Sequence, residues 1–226
     1  MGNIIEIKKL SKSYKNGNGT LLEVLQNIDF TVEEGELTAI IGKSGSGKST
    51  LLNILGCVDS FDGGEYIFCG TNVSKLSDGK RAALRGTQIS FVFQDYALIE
   101  EESVMQNVLT PILFNKPSDM GKPKEAAMRA MSLVGIAELA KKKVRALSGG
   151  QKQRTAIARA IVAKPKLILA DEPTGALDTE TSRSVLDLLI DLNKQGTTVL
   201  IVTHDEEIAK GCKRVVRLQD KKILEA

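Results

Sequence analysis

Residues 37–50 read Leu37-Thr38-Ala39-Ile40-Ile41-Gly42-Lys43-Ser44-Gly45-Ser46-Gly47-Lys48-Ser49-Thr50. Leu37–Ile41 is a short apolar run of strand type, and Thr50–Leu55 opens a helical run. Between them, Gly42–Ser49 satisfies G-x-x-x-x-G-K-[ST] at every fixed place. By average composition about 1% of chains this long would match by chance, and the flanking strand and helix lower that further. Gly42, Gly45 and Gly47, with Ser44 and Ser46 between them, let the backbone turn its N–H groups inward onto phosphate oxygens. The helix N-terminus adds a partial positive charge. Lys48 is expected to reach the β and γ phosphates, Ser49 to offer its hydroxyl to Mg²⁺, and Thr50 to touch the α phosphate.

Outward from this loop, strand and helix patterns alternate. Strands are predicted at Ile4–Ile7, Val24–Val32, Glu65–Cys69, Ile89–Phe93, Lys166–Ala170, Thr197–Val202 and Arg214–Leu218. Helices are predicted at Lys48–Leu55, Gly79–Leu84, Met105–Leu113, Lys124–Leu133, Gly149–Ala163, Thr181–Asn193 and Glu206–Lys210. Alternation of this kind predicts an α/β fold with a largely parallel sheet. The strand-rich first third predicts a small antiparallel sheet on one flank. No strand pattern occurs between Phe93 and Lys166, so a helical insert is predicted at 97–160, with the core formed by 1–96 and 161–226. Asn115–Pro123, with two prolines and Gly121, reads as a loop.

The chain has 226 residues, enough for one large domain or a core with a subdomain. Lys and Arg number 31 and Asp and Glu 28, a net charge of +3 that gives no argument for a nucleic-acid partner. No stretch approaches 18 consecutive apolar residues. The first eight residues meet Glu6 too early for a secretory signal. The last eight, after Leu218, leave no room for a regulatory domain. Three cysteines, Cys57, Cys69 and Cys212, lack metal spacing and predict packed, reduced thiols in a cytoplasmic chain.

Leu167–Glu172 is an apolar strand ending in Asp171 and Glu172. Successive strand residues point to opposite sides, so the two carboxylates differ in role unless the chain turns there. One carboxylate can face the metal while the other faces an attacking water. His204, the sole histidine, follows the run Thr197–Thr203. Ligands collect at the carboxyl ends of parallel strands, which puts His204 on the same rim as Asp171 and the phosphate loop. A neutral imidazole can donate to a γ phosphate while its other nitrogen is held. Gln94 ends another strand run and can hold Mg²⁺ or a water. Tyr14, read as following the first strand, offers an aromatic face for adenine.

Leu147-Ser148-Gly149-Gly150-Gln151 is a Gly-rich turn that opens a helix, a second anion site. Two such sites on different parts of one chain suggest that the second serves another copy. Together with Gly42–Ser49, Gln94, Asp171-Glu172, Ala176-Leu177-Asp178 and His204 in that order, the chain resembles the nucleotide-binding subunit of an ABC transporter, over essentially all its length. The resemblance implies a P-loop NTPase (RecA-like) core with a small antiparallel β-subdomain and an inserted α-helical subdomain. It implies two subunits packed head to tail around two ATP, with Ser148 and the amides of Gly149, Gly150 and Gln151 capping the γ phosphate bound by the other copy. Asp178 would couple the sites, and Glu172 would be the general base.

Residues 84–94 and 171–178 are similar to the branch of macrolide exporters, lipoprotein-release ATPases and antimicrobial-peptide transporters. That branch implies a permease on a separate chain and a peripheral place on the inner face of the cell membrane. A force-transmitting ATPase of a cell-division complex shares the same motifs. Asn193-Lys194-Gln195-Gly196 lacks the acid that reads guanine, so ATP is expected rather than GTP. Glu100–Glu102 and Lys141–Lys143 with Arg145 read as solvated charge runs; the first is alternatively a contact for basic permease residues.

Overall fold

Strands buried on both faces are apolar at nearly every position, and Leu37–Ile41 is buried throughout, its one polar side chain, Thr38, donating to Glu36 Oε1 at 2.7 Å. A computed structural model describes residues 2–114 and 122–225. Its elements in chain order are β1 (Asn3–Lys15), β2 (Leu21–Glu33), β3 (Leu37–Ile41), α1 (Lys48–Leu55), β4 (Gly63–Phe68), β5 (Thr71–Asn72), α2 (Asp78–Thr87), β6 (Ile89–Val92), α3 (Val104–Phe114), α4 (Pro123–Leu133), α5 (Gly149–Ile161), β7 (Leu167–Asp171), α6 (Thr179–Lys194), β8 (Thr198–Thr203), α7 (Glu206–Lys210), β9 (Arg214–Gln219) and β10 (Lys222–Glu225).

Two sheets organise the chain. One has six strands in the order β10-β9-β3-β8-β7-β6; the other has four in the order β2-β1-β4-β5. In the larger sheet β3 pairs in parallel with β8 and β9, β8 with β7 and β7 with β6, and β10 closes one edge antiparallel to β9. The smaller sheet is antiparallel throughout. This is the cassette form of the P-loop NTPase fold expected from the sequence, with its antiparallel β part and its helical part.

Alternation along β7 and β8 divides the core in two. Ile168, Ala170, Val199 and Ile201 face one cluster, built with α3, α4, α5 and α6. Leu167, Leu169, Leu200 and Val202 face the other, where α1 is packed between the two sheets. Tyr66 and Phe68 of β4 are almost wholly buried there. The position of α1 is tight: a Cβ on Gly56, its C-cap, would lie 1.9 Å from Phe91 Cζ. The φ of Gly56 is −78°, which alanine tolerates, so the restriction is steric alone. Gly56→Ala is expected to cost about 1–3 kcal/mol by overpacking. Melting should fall by roughly 2–4 °C for each kcal/mol; an unchanged melting temperature would show that the Phe91 ring moves freely.

Several sequence expectations are corrected. β1 runs to Lys15 rather than ending at Ile7, so Tyr14 lies inside the strand, not after it. The strand is bulged: Lys9 has φ +49°, and its register with β2 shifts four times. β5 and β10 carried no strand pattern. Of the predicted loop at 115–123, residues 115–121 lie outside the described residues, while Pro123 opens α4. The three cysteines are free, and burial pushes the Cys57 and Cys212 thiols up to about 11. Among the described residues no helix is long and apolar enough to cross a membrane.

Candidate functional site

The loop between β3 and α1 takes its shape from Gly45 (φ +76°) and Gly47 (φ +101°). A side chain at Gly47 would be strained, and its Cβ would lie 2.9 Å from Val24 Cγ1. Gly47 is also the N-cap of α1 and offers no side-chain cap, while the first turn, Lys48-Ser49-Thr50-Leu51, carries no acid. The initial N–H groups of the helix are therefore left for an external anion. Lys48 is buried and donates to the carbonyls of Gly42 (2.7 Å) and Lys43 (3.1 Å). Ser46 Oγ is buried and has no hydrogen-bond partner among the described residues. Unclaimed amides and a lysine folded onto its own loop suit a polyphosphate.

A cleft of about 670 Å³ opens over this loop. Ser44, Gly45, Gly47, Lys48, Ser49 and Thr50 line it, and Val24 closes one wall. Across the sheet it is lined by Gln94, Asp171, Glu172 and His204. The strand order explains this: β3, β8, β7 and β6 lie side by side, and each delivers its next residues to one rim. Gly42 and Ser46 lie behind the loop instead, where a Cβ on Gly42 would sit 2.5 Å from the Leu218 carbonyl of β9.

Asp171 and Glu172 share the cleft because the chain turns between them. Glu172 has φ +45° and donates its N–H to the Val202 carbonyl at 2.8 Å. A non-glycine residue held there stores of order 1–3 kcal/mol of strain. Burial pushes the Asp171 carboxyl up, while a hydrogen bond from the Ser49 hydroxyl opposes it. Glu172 has different partners. Thr203 Oγ1 donates to its Oε2 (3.0 Å), and His204 Nδ1 lies 2.7 Å from its Oε1. The Glu172 side chain is 15% exposed and that of His204 70%, so the imidazole reaches outward from a fixed carboxylate. Gln94 packs on Gly175, whose Cβ would lie 3.0 Å from Gln94 Nε2. Ser49, Asp171 and Gln94 together offer hard oxygen donors of the kind Mg²⁺ takes.

The other predicted residues lie outside this cleft. Ser148 caps α5 in a reciprocal box: its Oγ accepts from Gln151 N (3.3 Å) and its own N–H donates to Gln151 Oε1 (3.1 Å). The Gln151 amide is thus engaged within the chain. A Cβ on Gly150 would lie 2.6 Å from Thr181 Cγ2. Asp178 caps α6 and holds that same Thr181 through its N–H (2.9 Å) and its hydroxyl (2.7 Å). These bonds hold the Asp178 carboxyl below its ordinary range. Tyr14 does not line the cleft; its hydroxyl donates to Asp59 Oδ2 at 2.6 Å.

Sequence reasoning missed Thr203, Asp59 and Arg159. Arg159 of α5 donates to the carbonyls of Tyr96 (2.9 Å) and Ala97, both in the left-handed region just after Gln94. No spacing rule links them across some sixty residues. The two charge runs meet each other rather than solvent alone. Glu100 accepts from Lys152 at 2.7 Å, and Glu101 pairs with Arg145 (3.1 Å) and Lys143 (3.5 Å).

Comparison with known proteins agrees with this geometry. The family described as ABC transporter matches residues 25–175. The chain is 45% identical over 225 residues to the uncharacterized ABC transporter ATP-binding protein YknY of Bacillus subtilis, covering 99% of this chain and 96% of that one. It is 43% identical to the macrolide export ATP-binding/permease protein MacB of Escherichia coli, covering 99% of this chain but 34% of MacB. Among solved structures, the dimeric bacterial ABC transporter cassette MJ0796 is similar, with a TM-score of 0.88 and 38% identity over 97% of this chain and 96% of that one. A dimeric post-hydrolysis state of MJ0796 bound to ADP and Pi also has a TM-score of 0.88, at 36% identity over 98% of each chain.

Proposed function

The chain belongs to the ABC transporter family as an ATP-binding, ATP-hydrolysing cassette, and from that premise we propose that it pairs head to tail with a second cassette around two ATP and drives a membrane permease on a separate chain. The observation that carries this is the position of Ser148–Gln151. It opens a helix as an anion site would, yet none of its residues lines the cleft over Lys48. Its phosphate is therefore that of another copy. The Gly149 and Gly150 amides would cap that phosphate, with Ser148 and Gln151 shaping the turn. Asp178 acts through Thr181 on the same corner.

Within one cleft, the loop amides and Lys48 hold the β and γ phosphates, and Ser49, Asp171 and Gln94 hold Mg²⁺. The ion, when bound, neutralises charge that develops on the phosphate oxygens. Glu172 orients the attacking water and takes its proton. His204 holds Nδ1 on Glu172, and its exposed ring would contact the γ phosphate from the rim of the cleft. Similarity to YknY, whose name gives an ATP-binding protein alone, supports a cassette whose permease is a separate polypeptide. The names of the export relatives, macrolide and pyoverdine among them, support export or extraction of an antibiotic-like, peptide or lipid-linked cargo. Attachment is then peripheral, on the inner face of the cell membrane, with no nucleic-acid partner.

Partner capture tests this. Glu172→Gln, loaded with ATP and Mg²⁺ in gently solubilised native membranes, is expected to bring down a polytopic permease identifiable by mass spectrometry. Recovery of ribosomal or DNA-associated proteins without a permease would overturn the transport reading.

A further inference from the structure

Lys12 is a lysine where β1 should carry an apolar or exposed side chain. It is 6% exposed. A buried ammonium persists only when its charge is paired and its donors are used. Here Nζ donates to Asp59 Oδ1 (2.9 Å) and to the Ser60 carbonyl (2.7 Å). It also lies 4.8 Å from the centroid of the Tyr14 ring, within cation–π range. The other Asp59 oxygen accepts from the Tyr14 hydroxyl at 2.6 Å. The Thr50 side chain lies beside that hydroxyl, and Thr50 lines the cleft.

We propose that Lys12 and Asp59 form a clamp that fixes the Tyr14 ring as the platform for the base of the nucleotide, with both acting as positioning residues for ATP. This rests on reading the cleft as an ATP site and on the sequence expectation that Tyr14 faces the adenine; the clamp is what is new. Two contacts define the ring: Asp59 holds its hydroxyl, and the Lys12 ammonium covers one face. The ring remains 38% exposed, which leaves surface for a planar ligand. A cation on one face draws electron density from the ring, which favours an electron-rich purine on the other. A ring held before binding also loses less rotamer freedom when the base arrives. Anchoring β1 to the 59–62 segment does not need Lys12, because the Ser13 N–H already donates to Asp62 Oδ2 at 2.6 Å.

The test compares ATP with inorganic tripolyphosphate, which carries the phosphates without the base. Calorimetric titration with Mg²⁺ is run on the intact chain and on Tyr14→Ala, Lys12→Met, Lys12→Arg and Asp59→Asn, with melting curves for each. Tyr14→Ala should weaken ATP roughly tenfold, the scale of one base–aromatic stack, and leave tripolyphosphate unchanged. Lys12→Met should weaken ATP by about three- to tenfold with the same selectivity and add nothing in the Tyr14→Ala background, since the two act as one unit. Lys12→Arg should recover most of the loss.

Weak ATP binding by Tyr14→Ala alone, with Lys12→Met and Asp59→Asn at wild-type affinity, overturns the clamp and leaves the ATP site standing. Equal losses for ATP and tripolyphosphate in Lys12→Met overturn it as well, by showing a general collapse. No effect of Tyr14→Ala removes the platform itself. A wild-type chain that binds neither ligand refutes the underlying site instead. If Lys12→Met does not fold, Asp59→Asn gives the same readout with side-chain size kept.

Discussion

Glu172→Gln should lower steady-state ATP turnover by about 10²- to 10⁴-fold, the contribution of one positioned base, while ATP binding survives. The substitution keeps size and shape, so the left-handed turn at 172 and its N–H bond to Val202 can persist. What it removes is the carboxylate that Thr203 and His204 hold in place. An amide oxygen still accepts from Thr203 but takes no proton from water. Phosphate release is the measurement, beside ATP titration of the same protein. Turnover near the wild-type rate would move the base to another residue. Turnover and binding lost together would make Glu172 a folding residue rather than a base.

The second large effect concerns affinity. Lys48→Ala should weaken ATP about 100-fold, since one hydrogen bond to a charged group contributes about 1.5–3 kcal/mol and 1.4 kcal/mol is tenfold. The ammonium already sits within the loop, buried and held by the Gly42 and Lys43 carbonyls, so little side-chain entropy remains to be lost on binding. Calorimetry with Mg²⁺ and ATP measures it. An affinity within about threefold of wild type would mean that backbone amides, not Lys48, dominate phosphate binding.

What the sequence made readable follows from where each residue sits. β3, β7 and β8 are covered on both faces, so their apolar runs announce them, and site groups at their tips could be placed by order alone. β1 hid its length. Beyond Ile7 it carries Lys8, Lys9, Ser11, Lys12 and Ser13, and the bulge at Lys9 breaks the two-residue period that betrays a strand. Lys12 then inverts the pattern, a charge placed inside because Asp59, distant in sequence, receives it. β10 is a four-residue edge strand with one partner, and its sequence, Lys222-Ile223-Leu224-Glu225, is weakly patterned. The pair of carboxylates at the end of β7 was legible; the turn that brings both to one cleft was not, because glutamate carries no signature for positive φ.

The strand order has a consequence for biogenesis. β3 delivers the phosphate loop, yet its two neighbours, β8 and β9, come from residues 198–219. A ribosome that has released only the first half of the chain has thus produced the loop on a strand with both edges open, a template for wrong pairing. Long-range parallel pairing of this kind forms slowly. Nucleotide capture is then expected to wait until residues 198–219 have emerged.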